Sequence, residues 1–214
     1  MAQITRDSLM TLEVYARERD GFRARVLEHK KDRTLQLGEH ITLIFEDELT
    51  IRYQVQEMLR AERTFEEAGI RDELDAYNPL VPDGSNWKVT MMLEYPDSEE
   101  RRRMLGRLIG IEDKVWIKVE GHQRVYAIAD EDMERENADK TSSVHFLRFE
   151  LDPRMIAALK RGAALAVGVD HPHYRATVDQ VSAAMRRSLT GDLAGDGVAA
   201  SRAAGETSKA MSRR

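Results

Sequence analysis

With 214 residues, 42% hydrophobic and 33% charged, the chain can bury one substantial core and has the composition of an ordinary folded protein. A net charge of −5, with acids and bases interspersed, argues against a bulk polyanion binder, whose affinity needs clustered Lys and Arg facing phosphates. The absence of cysteine excludes disulfides, zinc–thiolate and iron–sulfur ligation, and thiol nucleophiles.

Asp7 and Ser8 are suited to cap a first helix ahead of Leu9, Leu12 and Tyr15, and Gly21 should interrupt or bend it. Phe22 and Val26 continue on one side, with Arg23, Arg25, Lys30 and Lys31 on the other. The basic stretch from Arg17 to Arg33 also holds Glu18, Asp20, Glu28 and Asp32, so it reads as a solvated helix face. The period then changes to two. Arg33–Leu37 and His40–Phe45 flank Gly38-Glu39, a link suited to a tight hairpin. From Thr50 the period is helical again, with Ile51, Val55, Met58, Leu59 and Phe65 as the apolar stripe and Gly69 as the stop.

Tyr77–Asn86, with two prolines and a Pro-Asp-Gly turn, reads as a loop. The strand after it sends Trp87, Val89, Met91, Leu93 and Tyr95 one way and Lys88, Thr90, Met92 and Glu94 the other. Pro96-Asp97-Ser98 opens a helix striped by Met104, Leu105 and Leu108 and ended by Gly110. Lys114–Val119 and Arg124–Ala129 read as a hairpin, Val144–Leu151 as a further strand. Asp152-Pro153 caps a short helix that Gly162 stops. Leu165–Val169 is the last strand expected, and Val181–Leu189 the last helix. From Thr190 the composition falls to Ala, Gly, Ser and scattered charge, too poor in apolar surface to offset its ordering entropy. The expectation is one α+β domain over residues 1–189, with a helical N-terminus and a largely antiparallel sheet covered by helices, followed by a disordered tail over 190–214. No apolar run approaches the ~20 residues needed to span a bilayer, and MAQITRDSLM lacks the apolar core of a signal peptide. The expected setting is cytoplasmic, with no membrane contact.

The densest chemistry lies between Ala127 and Leu151, where an acidic, polar run leads straight into a strand carrying His145. That histidine shares a face with Leu147, Phe149 and Leu151. It can be a core histidine satisfied by one or two hydrogen bonds, or a ligand or general base fed by Asp130, Glu131 and Asp132. Asp170-His171-Pro172-His173 follows the last strand. Two histidines at i and i+2 occur in metal sites, because an extended chain puts both on one side; the alternative is an ordinary polar strand exit. Tyr53, Glu57 and Arg60, with Gln54 and Gln56 near them, form a polar helix face: a surface ion pair, or a carboxylate serving as acid/base group or metal ligand. There is no ExxH spacing of the di-iron bundle kind, no G-x-S-x-G and no H-E-x-x-H. Ser142 and Ser143 make no triad with His145, because strand neighbours point to opposite faces. No glycine-rich strand-to-helix turn for phosphates is present.

FRARVLEHKKDR, FEDELTIRYQVQEMLRAER, ELDAYNPLVPDGSN, EYPDSEERRRMLGRLIGIED, AIADEDMERENADKTSSVHFLRFEL and GVDHPHY, in this order from Phe22 to Tyr174, resemble a bacterial protein family named domain of unknown function 3501. Proteins of this kind tend to be encoded near rubrerythrin-like and iron–sulfur oxidoreductase proteins, so the resemblance implies a role in redox or peroxide-stress physiology. It carries over Glu46, Gln54, Glu57, Arg60, Asn78, Asp83, Asp130, Glu131, Asp132, Lys140, Thr141, His145, Arg148, Asp170 and His171, and leaves out His173.

The resulting expectation is a binding or accessory protein of a bacterial redox or oxidative-stress system, with a redox protein as partner. The alternative is a metal-assisted enzyme holding a divalent metal on His145, His171 and Glu57. The candidate polar pocket comprises Gln54, Glu57, Arg60, Asp130, Asp132, His145 and Arg148. Nucleic acid is disfavoured as a partner, by charge and by the lack of a strand interleaving aromatic and basic residues.

Overall fold

A computed structural model describes residues 3–129 and 140–194, so the candidate residues Asp130, Glu131 and Asp132 lie outside the described part. The cap of the first helix, α1 (Leu12–Lys31), is Thr11, whose hydroxyl accepts from the Val14 N–H; Asp7 and Ser8 instead form a short 3-10 turn upstream. The helix runs through Gly21 unbroken. A Cβ there would touch nothing within 4 Å, so the glycine costs only its propensity, about 1 kcal/mol, and the burial of Tyr15, Phe22 and Val26 outweighs it.

Strands β1 (Thr34–Leu37) and β2 (Ile41–Glu46) form the expected hairpin, but Leu37 pairs with Ile41, so the link is the three residues Gly38-Glu39-His40. Gly38 has φ +73°, and a Cβ on it would lie 2.4 Å from the Tyr174 hydroxyl. That hydroxyl donates to Leu37 O and accepts from His40 N–H, clamping the turn. Asp47 and Thr50 then make a reciprocal capping box that starts α2 (Glu48–Glu62). Arg63, in the left-handed conformation at φ 55°, stops it. Gly69 is therefore not the stop: it lies inside α3 (Glu67–Tyr77), a helix that the apolar period did not announce. Phe65, expected on the buried stripe, falls in the connection and is 73% exposed. These three helices hold together on two small cores, one of Tyr15, Phe22 and Val26, the other of Ile51, Val55, Leu59, Ile70 and Leu74 joined by Ile4 and Leu9.

The rest of the chain supplies β3 (Asn86–Leu93), α4 (Ser98–Arg107), β4 (Val115–Val119), β5 (Arg124–Tyr126), β6 (Ile128–Ala129), β7 (Val144–Glu150), α5 (Pro153–Lys160), β8 (Leu165–His171), β9 (Tyr174–Val178) and α6 (Ala183–Gly191). Asp97 and Asp152 cap α4 and α5 as their positions predict. The class is α+β and every strand pairing is antiparallel. The strands form two sheets rather than one, in the orders β1-β2-β3-β7-β6 and β5-β4-β8-β9. One run of chain leaves the second sheet after Tyr126 and joins the first at Ile128, and Ala127 between them donates to Val115 O, so the sheets meet at a corner. Leu43, Phe45, Val89, Leu147 and Phe149 of one sheet share a single core with Ile117, Val167 and Val169 of the other. Each sheet thus covers the inner face of its partner, and Met155, Ile156, Met185 and Leu189 of α5 and α6 pack on the same core. Among the described residues, no helix is long and apolar enough to cross a membrane.

Ordered structure continues past Leu189. Asp192 and Leu193 are buried, and Ala194 N–H donates to Gly84 O. Asp192 is held by Arg33, which is 1% exposed: Nη1 and Nη2 reach its two oxygens at 3.3 and 2.5 Å. Arg33 also donates to Phe45 O, Glu46 O and Ser188 Oγ, and its Nη1 lies 3.4 Å from the Asp47 carboxylate. One guanidinium so ties the β1 entry, the β2 exit, the α2 cap and the end of α6.

Candidate functional site

The α2 residues expected to line a pocket part company. Glu57 is turned toward α1, where Arg19 grips it with Nε on Oε1 at 2.8 Å and Nη2 on Oε2 at 2.7 Å, and the Tyr15 hydroxyl donates to Oε1 at 2.5 Å. The guanidinium holds the Glu57 carboxyl below its usual range against the opposing pull of burial, and Tyr15 adds to the lowering. Burial first, then Glu57, pushes the Tyr15 phenol up, so it stays a neutral donor. Both carboxylate oxygens are consumed in a helix-to-helix joint. Gln54 and Arg60 are exposed, and Tyr53 packs edge-on against Phe22 at 5.8 Å. Gln56 is buried: its side-chain oxygen accepts from Met10 N–H at 2.6 Å and its amide donates to Met10 O. Asn78 treats Ile4 the same way, at 2.9 and 3.0 Å. Two carboxamides therefore clasp the N-terminal strap by imitating a strand partner.

His145 lies on the core face of β7 with Leu147 and Phe149, as the alternation predicts, and is 2% exposed. Its Nε2 is 3.0 Å from Ser142 O and 3.1 Å from Thr141 Oγ1. A carbonyl can only accept, so in this arrangement Nε2 carries the hydrogen. Its Nδ1 faces the buried Glu112 carboxylate at 3.9 Å, and Thr141 N–H donates to Leu105 O, which fixes the cluster to the end of α4. The imidazole is thus held by its Nε2 contacts, with its other nitrogen turned toward the Glu112 carboxylate. Arg148 is on the opposite face of the same strand and pairs with Glu150. Glu46 accepts from Thr90, Asp83 makes an Asx turn with Ser85, and Lys140 is exposed. Glu57, His145 and Arg148 thus occupy the helical layer, the inner face and the outer face of the first sheet.

The Asp170–His173 stretch is not a strand exit but a hairpin turn: His171 pairs with Tyr174, with Pro172-His173 at the tip. Both nitrogens of His171 are engaged. Nε2 lies 3.1 Å from Ile109 O and Nδ1 accepts from His173 N–H at 3.2 Å. Burial lowers its pKa, the Ile109 carbonyl opposing, which favours the neutral ring this geometry requires. Asp170 is bound by Arg124, and His173 accepts from Arg107. Among the described residues, no group of three or more His, Asp and Glu side chains is placed to hold a metal ion.

The outer face of the second sheet holds a basin that no polar sequence motif marks. Its volume is about 440 Å³, and its lining includes Trp116, Lys118, Arg124, Ala166, Thr177 and Asp179. Trp116 lies across Gly168, where a Cβ would come within 2.2 Å of the indole, and the Arg124 guanidinium stacks 3.9 Å from the ring centroid. The readable signal is the run of small residues at alternate positions, Ala164, Ala166 and Gly168, between Leu165, Val167 and Val169.

A family model described as a protein of unknown function, DUF3501, matches residues 3–193. The crystal structure of a novel protein of unknown function from Burkholderia pseudomallei K96243 is similar, with 55% identity, a TM-score of 0.86, and coverage of 90% of this chain and 100% of that one. No curated protein gives a significant match.

Proposed function

The chain belongs to the DUF3501 family, and from that premise we propose that it is a binding or accessory protein working in a bacterial redox or oxidative-stress system. The redox setting, with a redox protein as partner, rests on the family resemblance. The binding role is supported by one observation: two of the three side chains that a metal-assisted enzyme would use are spent within the fold. Both oxygens of Glu57 are taken by Arg19 and Tyr15, and both nitrogens of His171 by backbone groups. A metal would have to displace a bidentate ion pair or unmake a hairpin turn to reach them. A cytoplasmic location suits a chain without cysteine, and a net charge of −5 argues against nucleic acid as partner.

The test is elemental analysis of protein purified after growth with added iron, zinc and manganese. The expected result is metal well below one equivalent, the same in wild type and in His145→Gln. Stoichiometric metal that disappears in His145→Gln would replace this reading with that of a metal-assisted enzyme.

A further inference from the structure

We propose that the basin on the outer face of the second sheet is a binding site for a small zwitterion, a free amino acid or dipeptide, with its carboxylate on Lys118 and its ammonium on Asp179. The inference rests on the binding-protein reading and gives it a ligand class. Three observations carry it.

First, small residues leave room for the basin. Ala164, just before β8, and Ala166 line it, Gly168 lies under the Trp116 indole, and the outward Asp170 is bound by Arg124, where a solvated strand ordinarily carries long polar or β-branched residues throughout. A volume of about 440 Å³ is within the range of small-molecule sites.

Second, Trp116 is 2% exposed and its Nε1–H has no acceptor. The indole lines the basin and packs over Gly168 through Cζ2, Cε2 and Cη2. A buried donor left without a partner is costly, and a ligand oxygen entering beside it removes that cost.

Third, the charges are arranged in a row and left unpaired. Lys118 is paired in register with Arg124 on one side and Ala166 on the other, and continuing the β8–β9 register one step sets Asp179 beside Ala166. The two backbones are thus about 10 Å apart, two strand spacings, with a methyl group between them. Lys118 and Asp179 are exposed, and neither side chain makes an ion pair or hydrogen bond among the described residues. Of the other two charges of the lining, Arg124 binds Asp170, while Glu120 is an exposed carboxylate that accepts from Ala164 N–H. Lys118 and Asp179 thus offer one cation and one anion on either side of Ala166, complementary to a molecule with a carboxylate at one end and an ammonium at the other.

The chain has two tryptophans, so ¹H–¹⁵N correlation spectra hold two indole signals, assigned by loss of one in Trp116→Phe. Glycine and glycylglycine are titrated into the full chain, with N-acetylglycine and glycinamide as probes lacking one charge each. The expected result is a saturable shift of the Trp116 indole signal with glycine or glycylglycine, with the Trp87 signal unmoved. The single-charge probes should bind at least tenfold more weakly, and Lys118→Ala and Asp179→Ala should each abolish the shift while keeping the rest of the spectrum. No saturable shift with either zwitterion overturns the proposal, as does equal binding of N-acetylglycine, which would mean a simple anion site. Neither failure touches the binding-protein reading, which the metal analysis decides separately.

Discussion

Ending the chain after Leu189 should destabilise it severely, although composition alone puts the domain boundary there. The cut removes Asp192 and Leu193, both buried, and the bond from Ala194 to Gly84. Arg33, 1% exposed in the intact chain, loses the carboxylate that accepts from two of its nitrogens. Removing one partner of a buried ion pair costs about 3–5 kcal/mol. Asp47 stays 3.4 Å from Nη1 and offers partial compensation, so about 3 kcal/mol is the better figure. Asp47 can serve in this way because it is ionised: burial pushes its carboxyl up, but Arg33, the Thr50 N–H and His29 together hold it below its usual range. Asp192 is raised instead, burial outweighing Arg33, which marks it as the member whose charge costs most to bury. Exposing the Leu193 site adds about 2 kcal/mol. The sum, about 5 kcal/mol, is a large share of the 5–15 kcal/mol that typically separates folded from unfolded chains. For a domain of this size it corresponds to a fall in Tm of about 10–20 °C. Scanning calorimetry on chains ending at 189 and at 194, beside the full chain, measures it. The chain ending at 194 should melt with the full one; a chain ending at 189 that melts within 3 °C of it would refute the assignment of Arg33 and Asp192 as a structural joint.

Glu57→Gln should cost about 1–2 kcal/mol at pH 7, the value of a charge-assisted hydrogen bond that is partly exposed. Because the folded-state carboxyl is held below 4.5, its contribution is present above that pH and lost as pH falls through the folded value, so the Tm gap between wild type and variant should narrow as pH is lowered below 4.5; a gap independent of pH would count against the Arg19 pairing. His171, held below 6.5 chiefly by burial, contributes stability present above 6.5 and lost as pH falls through its lower folded value. Urea midpoints should therefore drop between pH 7 and pH 5 more in wild type than in His171→Asn, and equal drops would show that the ring protonates freely in the folded state.

What was legible in the sequence was local. Asp97 and Asp152 announce their helices because a cap is a contact between neighbours, and the alternation in β3 and β7 places Trp87, Val89, His145 and Phe149 on the buried face. What failed depended on distant residues. A division into two sheets cannot be read from periodicity, since the inner residues of either sheet alternate in the same way whether helices or strands cover them. Strand β9 was missed because Tyr174–Val178 is an edge strand exposed at alternate positions, with little apolar period to detect. Gly21 and Gly69 misled for a shared reason: a glycine breaks a helix only when flanking packing is too weak to carry about 1 kcal/mol, and in both helices it is not.

The candidate site shows the same limit from the other side. Glu57, Gln56, Asn78 and His171 look functional in sequence because they are polar at positions where solvation offers no reason for them, and Asp192 reads there as part of the tail. In the fold they bond across 38, 46, 74, 62 and 159 residues. A molecule made of a helical layer, two sheets and an N-terminal strap has several seams, and apolar contacts alone do not fix the angle at which such layers meet. Directional bonds do, and at a buried seam they must be fully satisfied. Saturation is therefore what separates a joint from a site. By that criterion Glu57 and His171 are joints, and the basin beside Trp116 is a place among the described residues where a buried donor without an acceptor lies beside an exposed cation and anion that pair with no protein group.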